Sequence, residues 1–187
     1  MFVPEIDFLT FDDLPEILRI NAKSSCSWPE EVIRADLSKD SKSETTYIGA
    51  FATTAEAPLL GYAVLGREKR SGLLMALVVE SLYRRRGIGR QLLMAVSDCA
   101  LYLNLRRLRL KVRKSNSGAI ALYTQMSFSG ETVRRGYYSN GEDAIIMSAG
   151  LPLRLRAVSC GYIFRSMTAQ AYLLTGTASR FTESLRG

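Results

Sequence analysis

Hydrophobic positions along the first 150 residues follow two spacings, one typical of helices and one typical of strands. Apolar side chains at helical spacing predict two helices near the start, one capped by Thr10 or Asp12 and one beginning at Pro29. Short apolar runs bounded by polar turns predict strands. The remaining predicted elements are strands over 6–9, 46–51, 59–65 and 73–79, a helix over 87–103, a strand over 106–113, a helix over 117–126 and strands over 128–135 and 144–147.

The order of these elements predicts an α/β (α+β) domain over residues 1–149 with a mixed, mostly antiparallel central sheet flanked by helices. Three consecutive strands between residues 46 and 79 are separated only by short polar turns, so we expect an antiparallel meander there. Residues 150–187 form a basic C-terminal extension, with five arginines and one glutamate after residue 150, for which we expect a docked helix over 163–174.

The amino-acid composition excludes more kinds of active site than the net charge does. The chain of 187 residues has a formal net charge of +7, which favours anionic partners without identifying one. It contains no histidine, which excludes a Ser-His-Asp triad and a His-ligated zinc site. Cys26, Cys99 and Cys160 are far apart, so we expect neither a metal site nor a disulfide framework. The chain shows no signal-peptide pattern and no apolar run of about 18 residues, so we expect a cytoplasmic protein with no membrane partner.

A glycine-rich, cationic turn is the strongest chemical signal in the sequence. The buried strand predicted over 73–79 leads into Arg84–Arg90, where Gly87 and Gly89 precede a helix. Backbone N–H groups at such a helix start bind anions, and the arginines add positive charge. The spacing matches neither G-x-x-x-x-G-K-[ST] nor a dinucleotide fingerprint, which would need a third glycine at Leu92. The turn therefore predicts a pyrophosphate site of another kind.

The motif Arg84 to Gly89, written R/Q-x-x-G-x-G/A, resembles the signature of the GNAT acyltransferases when it follows a buried strand in this element order. The second half of the chain is similar to the protein N-terminal acetyltransferases of the RimI type, the ribosomal-protein alanine N-acetyltransferases. The segments that carry this similarity are 112–116, 119–123, Phe128, 134–138 and 142–147. The resemblance covers residues 5–149 and implies the GNAT fold, acetyl-CoA as co-substrate, no metal and direct transfer without a covalent enzyme intermediate.

The resemblance also assigns candidate site residues. It implies that the backbone of Leu77, Val78 and Val79 pairs with the pantetheine arm, and that Asn116 orients acetyl-CoA near its thioester. Tyr123 takes the position of the general acid. Tyr137 and Tyr138 resemble the paired tyrosines that hold the peptide N-terminus, and Trp28 either lines the same cleft or belongs to the core. The residues implied to bind the pyrophosphate are Arg85, Arg86, Gly87, Ile88, Gly89 and Arg90.

Lys111 departs from the pattern, because RimI-type enzymes have a glutamate there as general base. A protonated lysine repels an incoming ammonium group, so four explanations stay open. Like charges and partial burial could keep Lys111 neutral and able to act as base, or Glu80 or Glu142 could act through water. Alternatively, Lys111 marks an acceptor with acidic residues after its N-terminus, or a loss of activity.

Ser127 is a smaller departure, since relatives usually have glycine before the phenylalanine that is Phe128 here. Ser127 must then accept the turn conformation, or the turn must shift.

The resemblance implies an acetyl-CoA-dependent transferase that acts on the N-terminal amine of a protein, with a ribosomal protein as substrate. The alternatives are a small-molecule amine acetyltransferase and a catalytically silent CoA-binding module on ribosome or nucleic acid.

Overall fold

The computed structural model describes residues 4–24, 27–38, 44–54, 56, 58–154 and 163–164. A central β-sheet carries four helices on its two faces. The strands are β1 (Glu5–Phe8), β2 (Thr46–Phe51), β3 (Leu59–Glu68), β4 (Ser71–Val79), β5 (Arg107–Arg113), β6 (Ser129–Arg134), β7 (Ala144–Gly150) and β8 (Ile163–Phe164). The helices are α1 (Leu14–Asn21), α2 (Glu30–Leu37), α3 (Ile88–Tyr102) and α4 (Ser117–Gln125).

The strand order across the sheet is β6-β7-β5-β4-β3-β2-β1-β8. Strands β2 to β4 form the predicted antiparallel meander, β1 pairs antiparallel with β2, and β7 lies antiparallel between β5 and β6. The pairs β4–β5 and β1–β8 are parallel. The sheet is therefore mixed and mostly antiparallel, which confirms the predicted GNAT fold.

The sheet separates two clusters of buried side chains. On one face α3 packs through Leu92, Leu93 and Val96 against β2 to β5, and α4 adds Tyr123 to the same cluster. On the other face α1 and α2 pack against β2, β3 and the end of β4. Since Leu60 and Tyr62 of β3 belong to different clusters, β3 is covered on both sides. This burial explains why β3 reads as a continuous apolar run.

The predicted extent of one turn and the predicted end of one strand are wrong. The turn expected around residues 68–72 is only Lys69-Arg70, because Glu68 pairs with Ser71 and Lys69 adopts a positive φ of 56°. Strand β7 runs to Gly150 rather than Met147, since β5 pairs with it along its whole length. Chain-distant pairing of this kind lengthens a strand beyond its local apolar pattern.

The helix expected over 163–174 is wrong at its start. Residues 163 and 164 form β8, which extends the sheet beyond β1 by parallel pairing. An isoleucine and a phenylalanine suit a strand, and β1 offers an edge to pair with. Residues 165–174, and with them the rest of this prediction, lie outside the described residues.

Residues 151–154 continue from β7 across α3. The Leu153 side chain is buried, and its backbone N–H donates to Ser97 Oγ of α3 at 3.0 Å. Ser127 Oγ donates to the Arg154 carbonyl at 2.8 Å. The start of the C-terminal extension is thus fixed to the domain by two serine hydroxyls and one buried leucine.

We predict that Gly61→Ala destabilises the protein more than Gly66→Ala, although both glycines lie in β3. A Cβ at Gly61 would lie 2.6 Å from the backbone oxygen of Val78, which β4 holds in place. A Cβ at Gly66 would meet the flexible end of the Met75 side chain instead. We expect Gly61→Ala to cost about 1–3 kcal/mol in urea unfolding, and Gly66→Ala clearly less. Equal losses would contradict the backbone explanation.

Candidate active site

Strands β4 and β5 separate half-way along their length. Their parallel pairing runs from Ser71–Arg107 to Leu74–Leu110 and stops there. Beyond that point β4 stays with β3 as far as the pair Gly61–Val79, and β5 stays with β7 as far as Arg113. Among the described residues no strand pairs with this edge of β4 over residues 75–79. The sheet therefore opens into a cleft, and peptide groups of β4 on that edge are available to an extended ligand.

The side chains of the predicted pantetheine-binding strand belong to the core. Val78 is buried on the α1–α2 face, and Leu77 and Val79 pack against the cluster on the other face. One polar contact involves the backbone, since Arg84 Nε donates to the Val79 carbonyl at 3.0 Å. The packing of these side chains leaves the main-chain groups as the polar groups that this strand offers to a ligand in the cleft.

The glycine-rich turn and the start of α3 lie directly after β4. Gly87 adopts a positive φ of 87° as the residue before α3, and Arg85 adopts one of 63°. No side chain among the described residues caps α3, so its first N–H groups and the positive end of its dipole are available to an anion. Arg85 and Arg86 are exposed, and the Arg86 guanidinium lies 5.6 Å from the centre of the Tyr83 ring. The turn has the charge and backbone geometry of an anion site.

Gly89 has a different role from Gly87. A Cβ at Gly89 would lie 3.2 Å from Leu122 of α4 and 3.8 Å from Val79 of β4. The missing side chain therefore lets the start of α3 approach both elements closely. Arg90 extends across the same junction, with Nη2 donating to Gln125 Oε1 at 3.3 Å. The structure thus assigns Arg90 a contact with α4 that the sequence did not predict.

Helix α4 carries two of the predicted site residues at different depths. Asn116 is the N-cap, and its side-chain oxygen accepts the Ala119 N–H at 3.1 Å. Its amide N–H₂ group is the part that could donate to a ligand. Tyr123 is 8% exposed and packs against Phe128, with 5.7 Å between ring centres. Ser127 accepts the turn conformation, with a φ of 66°.

The side chains along β5 alternate between buried and more exposed positions, as the sequence predicts. Leu108, Leu110 and Val112 are buried, while Lys111 lies on the opposite, exposed face. Lys111 Nζ donates to the hydroxyl of Tyr137 at 3.0 Å and lies 4.9 Å from the centre of that ring. Lys111 is thus exposed, without the partial burial that we expected, while the like charges of Arg109 and Arg113 flank it on the same strand face.

Tyr137 and Tyr138 lie together beside this end of β5. Their rings meet edge to face with 5.1 Å between centres. The Arg113 guanidinium lies 3.8 Å from the centre of the Tyr138 ring and donates to Glu142 at 3.1 Å. The tyrosine pair is thus backed by two cations, Lys111 and Arg113, on adjacent positions of one strand face.

Glu142 anchors the loop that carries the tyrosines. Its carboxylate accepts the Ser115 hydroxyl at 2.6 Å and the Ser115 N–H at 2.9 Å. These bonds, with the Arg113 guanidinium, hold the pKa of Glu142 at about 2. A carboxylate with such a pKa, already bonded on both oxygens, is a poor proton acceptor.

Glu80 is the other carboxylate considered as a base, and it is buried at the end of β4. Burial alone would raise its pKa, but Arg19 at 2.8 Å and Lys23 at 3.2 Å lower it overall. Arg19 also donates to the Leu59 carbonyl, so the ion pair ties α1 to the sheet. Neither Glu80 nor Glu142 therefore has the environment of a general base.

Trp28 is held by a residue that sequence reasoning missed. The side chain of buried Asn21 accepts the Trp28 N–H at 2.9 Å and donates to its carbonyl at 2.8 Å, and Tyr62 O–H donates to it at 3.3 Å. Trp28 itself is half-buried against the α1–α2 cluster. The sequence did contain a signal for Asn21, because this polar residue stands seven positions after Leu14, on the apolar face of α1.

Residues 13–128 match the acetyltransferase (GNAT) family. This range includes the diverging strands, the glycine-rich turn and Tyr123. The chain belongs to the GNAT acetyltransferase family.

Curated relatives of this GNAT acetyltransferase include the [ribosomal protein bS18]-alanine N-acetyltransferase of Escherichia coli K12. It is 30% identical over 154 residues, which cover 80% of this chain and 98% of the relative. An N-alpha-acetyltransferase of Sulfurisphaera tokodaii is 41% identical over 83 residues, 44% of this chain and 50% of that protein. The crystal structure of the Escherichia coli ribosomal-protein-S18-alanine N-acetyltransferase matches with a TM-score of 0.69 at 27% identity, covering 84% and 100% of the two chains.

Family membership makes this chain an N-acetyltransferase with acetyl-CoA as co-substrate. The cleft suits that molecule, because an extended edge of β4 leads to an uncapped helix start with arginines around it.

Within the described ranges no group of three or more His, Cys, Asp or Glu residues could hold a metal ion. No helix among the described residues is long and apolar enough to cross a membrane. Of the cysteines, Cys99 is buried and free, while Cys26 and Cys160 lie outside the described residues.

We expect the Glu142 carboxyl to titrate near pH 2 in the folded protein, as measured by carbon-detected NMR. A pKa lowered from 4.5 means that the ionised form stabilises the fold. That contribution is complete above about pH 4.5 and is lost as the pH falls towards 2. Ser115→Ala should raise the pKa, because the Ser115 hydroxyl makes the largest single contribution, and Arg113→Gln should raise it as well. Titration near 4.5 in the unaltered protein would contradict the assigned contacts.

Proposed function

We propose that this acetyltransferase acetylates the α-amino group of a protein N-terminus, and that a ribosomal protein is its substrate. The observation that carries the proposal is the tyrosine pair, Tyr137 and Tyr138, set beside the end of β5 where the sheet opens. The similarity over 154 residues to an alanine N-acetyltransferase of a ribosomal protein supports the same choice. An aromatic pair with backing cations suits an extended peptide better than a small compact amine.

Acetyl-CoA supplies the acetyl group as an activated thioester. Main-chain groups of Leu77, Val78 and Val79 bind its pantetheine arm, and the turn from Arg85 to Arg90 binds its pyrophosphate. Asn116, at the start of α4, orients the thioester through its amide group. These assignments use the free edge of β4 and the uncapped start of α3.

The neutral α-amine of the acceptor attacks the carbonyl carbon of the thioester. A carbon–nitrogen bond forms, the carbon–sulfur bond breaks, and the sulfur leaves with the electron pair of that bond. Tyr123 donates its phenolic proton to the departing thiolate, which suits a phenol because its ordinary pKa is about 10. The nitrogen loses one proton to solvent, from which Tyr123 is reprotonated.

The missing glutamate at Lys111 favours an α-amine over a lysine side chain as the acceptor. An α-amino group has a pKa of about 7.7 to 8.0, so on the order of a fifth of it is neutral near pH 7.4. A lysine side chain, with a pKa of about 10.4, is neutral about one time in a thousand. The α-amine can therefore react without a strong enzyme base, and the lysine side chain cannot do so at a useful rate.

The test of the proposed function is acetyl transfer from acetyl-CoA to short peptides that vary in their first three residues. We expect mass gain at the α-amine, and a rate that rises from pH 6.5 to about 8.5 with the fraction of neutral amine. Lys111→Glu should raise the rate near pH 7 by restoring a base. A peptide with a blocked N-terminus and an internal lysine is the matched control, and its acetylation instead would contradict the proposal.

We predict that Tyr123→Phe lowers kcat by about 10²- to 10⁴-fold while the Kd for CoA stays unchanged, because only the proton donor is lost. Tyr102→Phe is the matched control, since Tyr102 ends α3 at the end opposite the glycine-rich turn. An unchanged kcat in Tyr123→Phe would remove Tyr123 from the chemistry.

The catalytically silent module remains the second candidate because of Lys111. A protein of that kind would bind CoA tightly without turnover on any peptide. Its association with nucleic acid would weaken steeply with salt and hardly depend on CoA. Turnover on a small amine and on no peptide would instead favour a small-molecule acceptor.

A further inference from the structure

Four cations follow one another on the exposed face of β5, and three of them have carboxylate partners. Arg107 and Arg109 both bond to Glu131, at 3.1 and 3.0 Å, and Arg109 also pairs with Glu68 at 3.7 Å. Arg113 bonds to Glu142 at 3.1 Å. These three positive charges are therefore compensated within the domain.

Lys111, the fourth cation, forms none of the ion pairs found among the described residues. Its hydrogen-bond acceptor is the phenol of Tyr137, which carries no charge, and the ring of Tyr137 lies under it. One of its three N–H groups is thereby used, and two remain for another acceptor. Lys111 thus carries a positive charge that the described residues leave uncompensated.

The position of this charge matters as much as its state. Leu110 forms the last pair that joins β5 to β4, so Lys111 is the first residue of β5 beyond the point where the sheet opens. Tyr137, which holds the ammonium group, is 42% exposed. The charge therefore lies at the mouth of the cleft, next to the tyrosine pair.

A cation in this place opposes the binding of a protonated α-amine. A carboxylate on the acceptor, placed close behind that amine, would reverse the effect because it would accept the two remaining N–H groups of Lys111. In an extended peptide the side chains of the second and third residues are the ones within a few ångströms of the N-terminus.

We infer that Lys111, positioned by Tyr137, is a specificity-determining residue that selects acceptor N-termini with aspartate or glutamate at the second or third position. The inference rests on the proposed action on peptide N-termini and names the class of peptide. It gives Lys111 a binding role in place of the proton-accepting role of the family's glutamate.

The experiment compares kcat/KM for peptides that begin Ala-Glu, Ala-Gln and Ala-Lys and are otherwise identical. At low ionic strength we expect the Ala-Glu peptide to exceed the Ala-Gln peptide about five-fold, mainly through KM. Lys111→Met should abolish this ratio, and Lys111→Glu should reverse it in favour of Ala-Lys. The ratio should also shrink as salt is added, because the pair is exposed.

Arg109→Met is the matched control, since it removes the same charge from the same strand face at a position that Glu131 compensates. It should leave the ratio between the peptides unchanged. Acetylation of all three peptides at equal rates would overturn this inference and leave the proposed function standing. The same holds if Lys111→Met keeps the wild-type ratio. No turnover on any peptide, with CoA bound, would overturn both.

Discussion

The separation of β4 from β5 after the pair Leu74–Leu110 is the constraint on which the rest of the site depends. Strand β4 stays paired with β3 and β5 stays paired with β7, so the opening removes only the hydrogen bonds between β4 and β5 beyond this pair. It leaves main-chain groups of β4 without a strand partner among the described residues at the end that leads to the glycine-rich turn and α3. Gly89 then lets α3, α4 and the end of β4 meet within van der Waals distance. The cleft, the glycine-rich turn and the helix that carries Tyr123 therefore meet where this strand pairing is interrupted.

The charged residues around Tyr137 and Tyr138 fall into two groups, those that form ion pairs with each other and Lys111, which forms none among the described residues. Glu142 joins Ser115 at the start of α4 to Arg113 on β5, and Arg113 in turn lies over Tyr138. This network holds the tyrosine loop without placing a base near the acceptor. Lys111 stands outside it, bonded to a neutral phenol. The arginines on this face of β5 are paired with carboxylates, and Lys111 on the same face therefore presents one charge that the described residues leave unpaired at the mouth of the cleft.

The fold and the backbone conformation of the glycine-rich turn could be predicted from the sequence because their signals are local. Gly87 was expected to serve the helix start and does so with a positive φ, and Ser127 accepts the positive φ that its position demands. The alternation along β5 was also correct, since it follows from the period of a strand. Boundaries failed where a distant partner decided them, as at the end of β7 and at Ile163–Phe164.

By itself, the sequence determined the elements, the glycine-rich turn and the family, because periodicity and backbone conformation depend on neighbours a few residues away. Only the tertiary structure decided that Lys111 is exposed, that Glu80 and Glu142 are already paired, and that Asn21 holds Trp28. Those properties depend on side chains from strands and helices that are distant in the chain. A side chain's charge partners and solvent access are set by folding, and they decide whether a carboxylate or a lysine can take part in proton transfer.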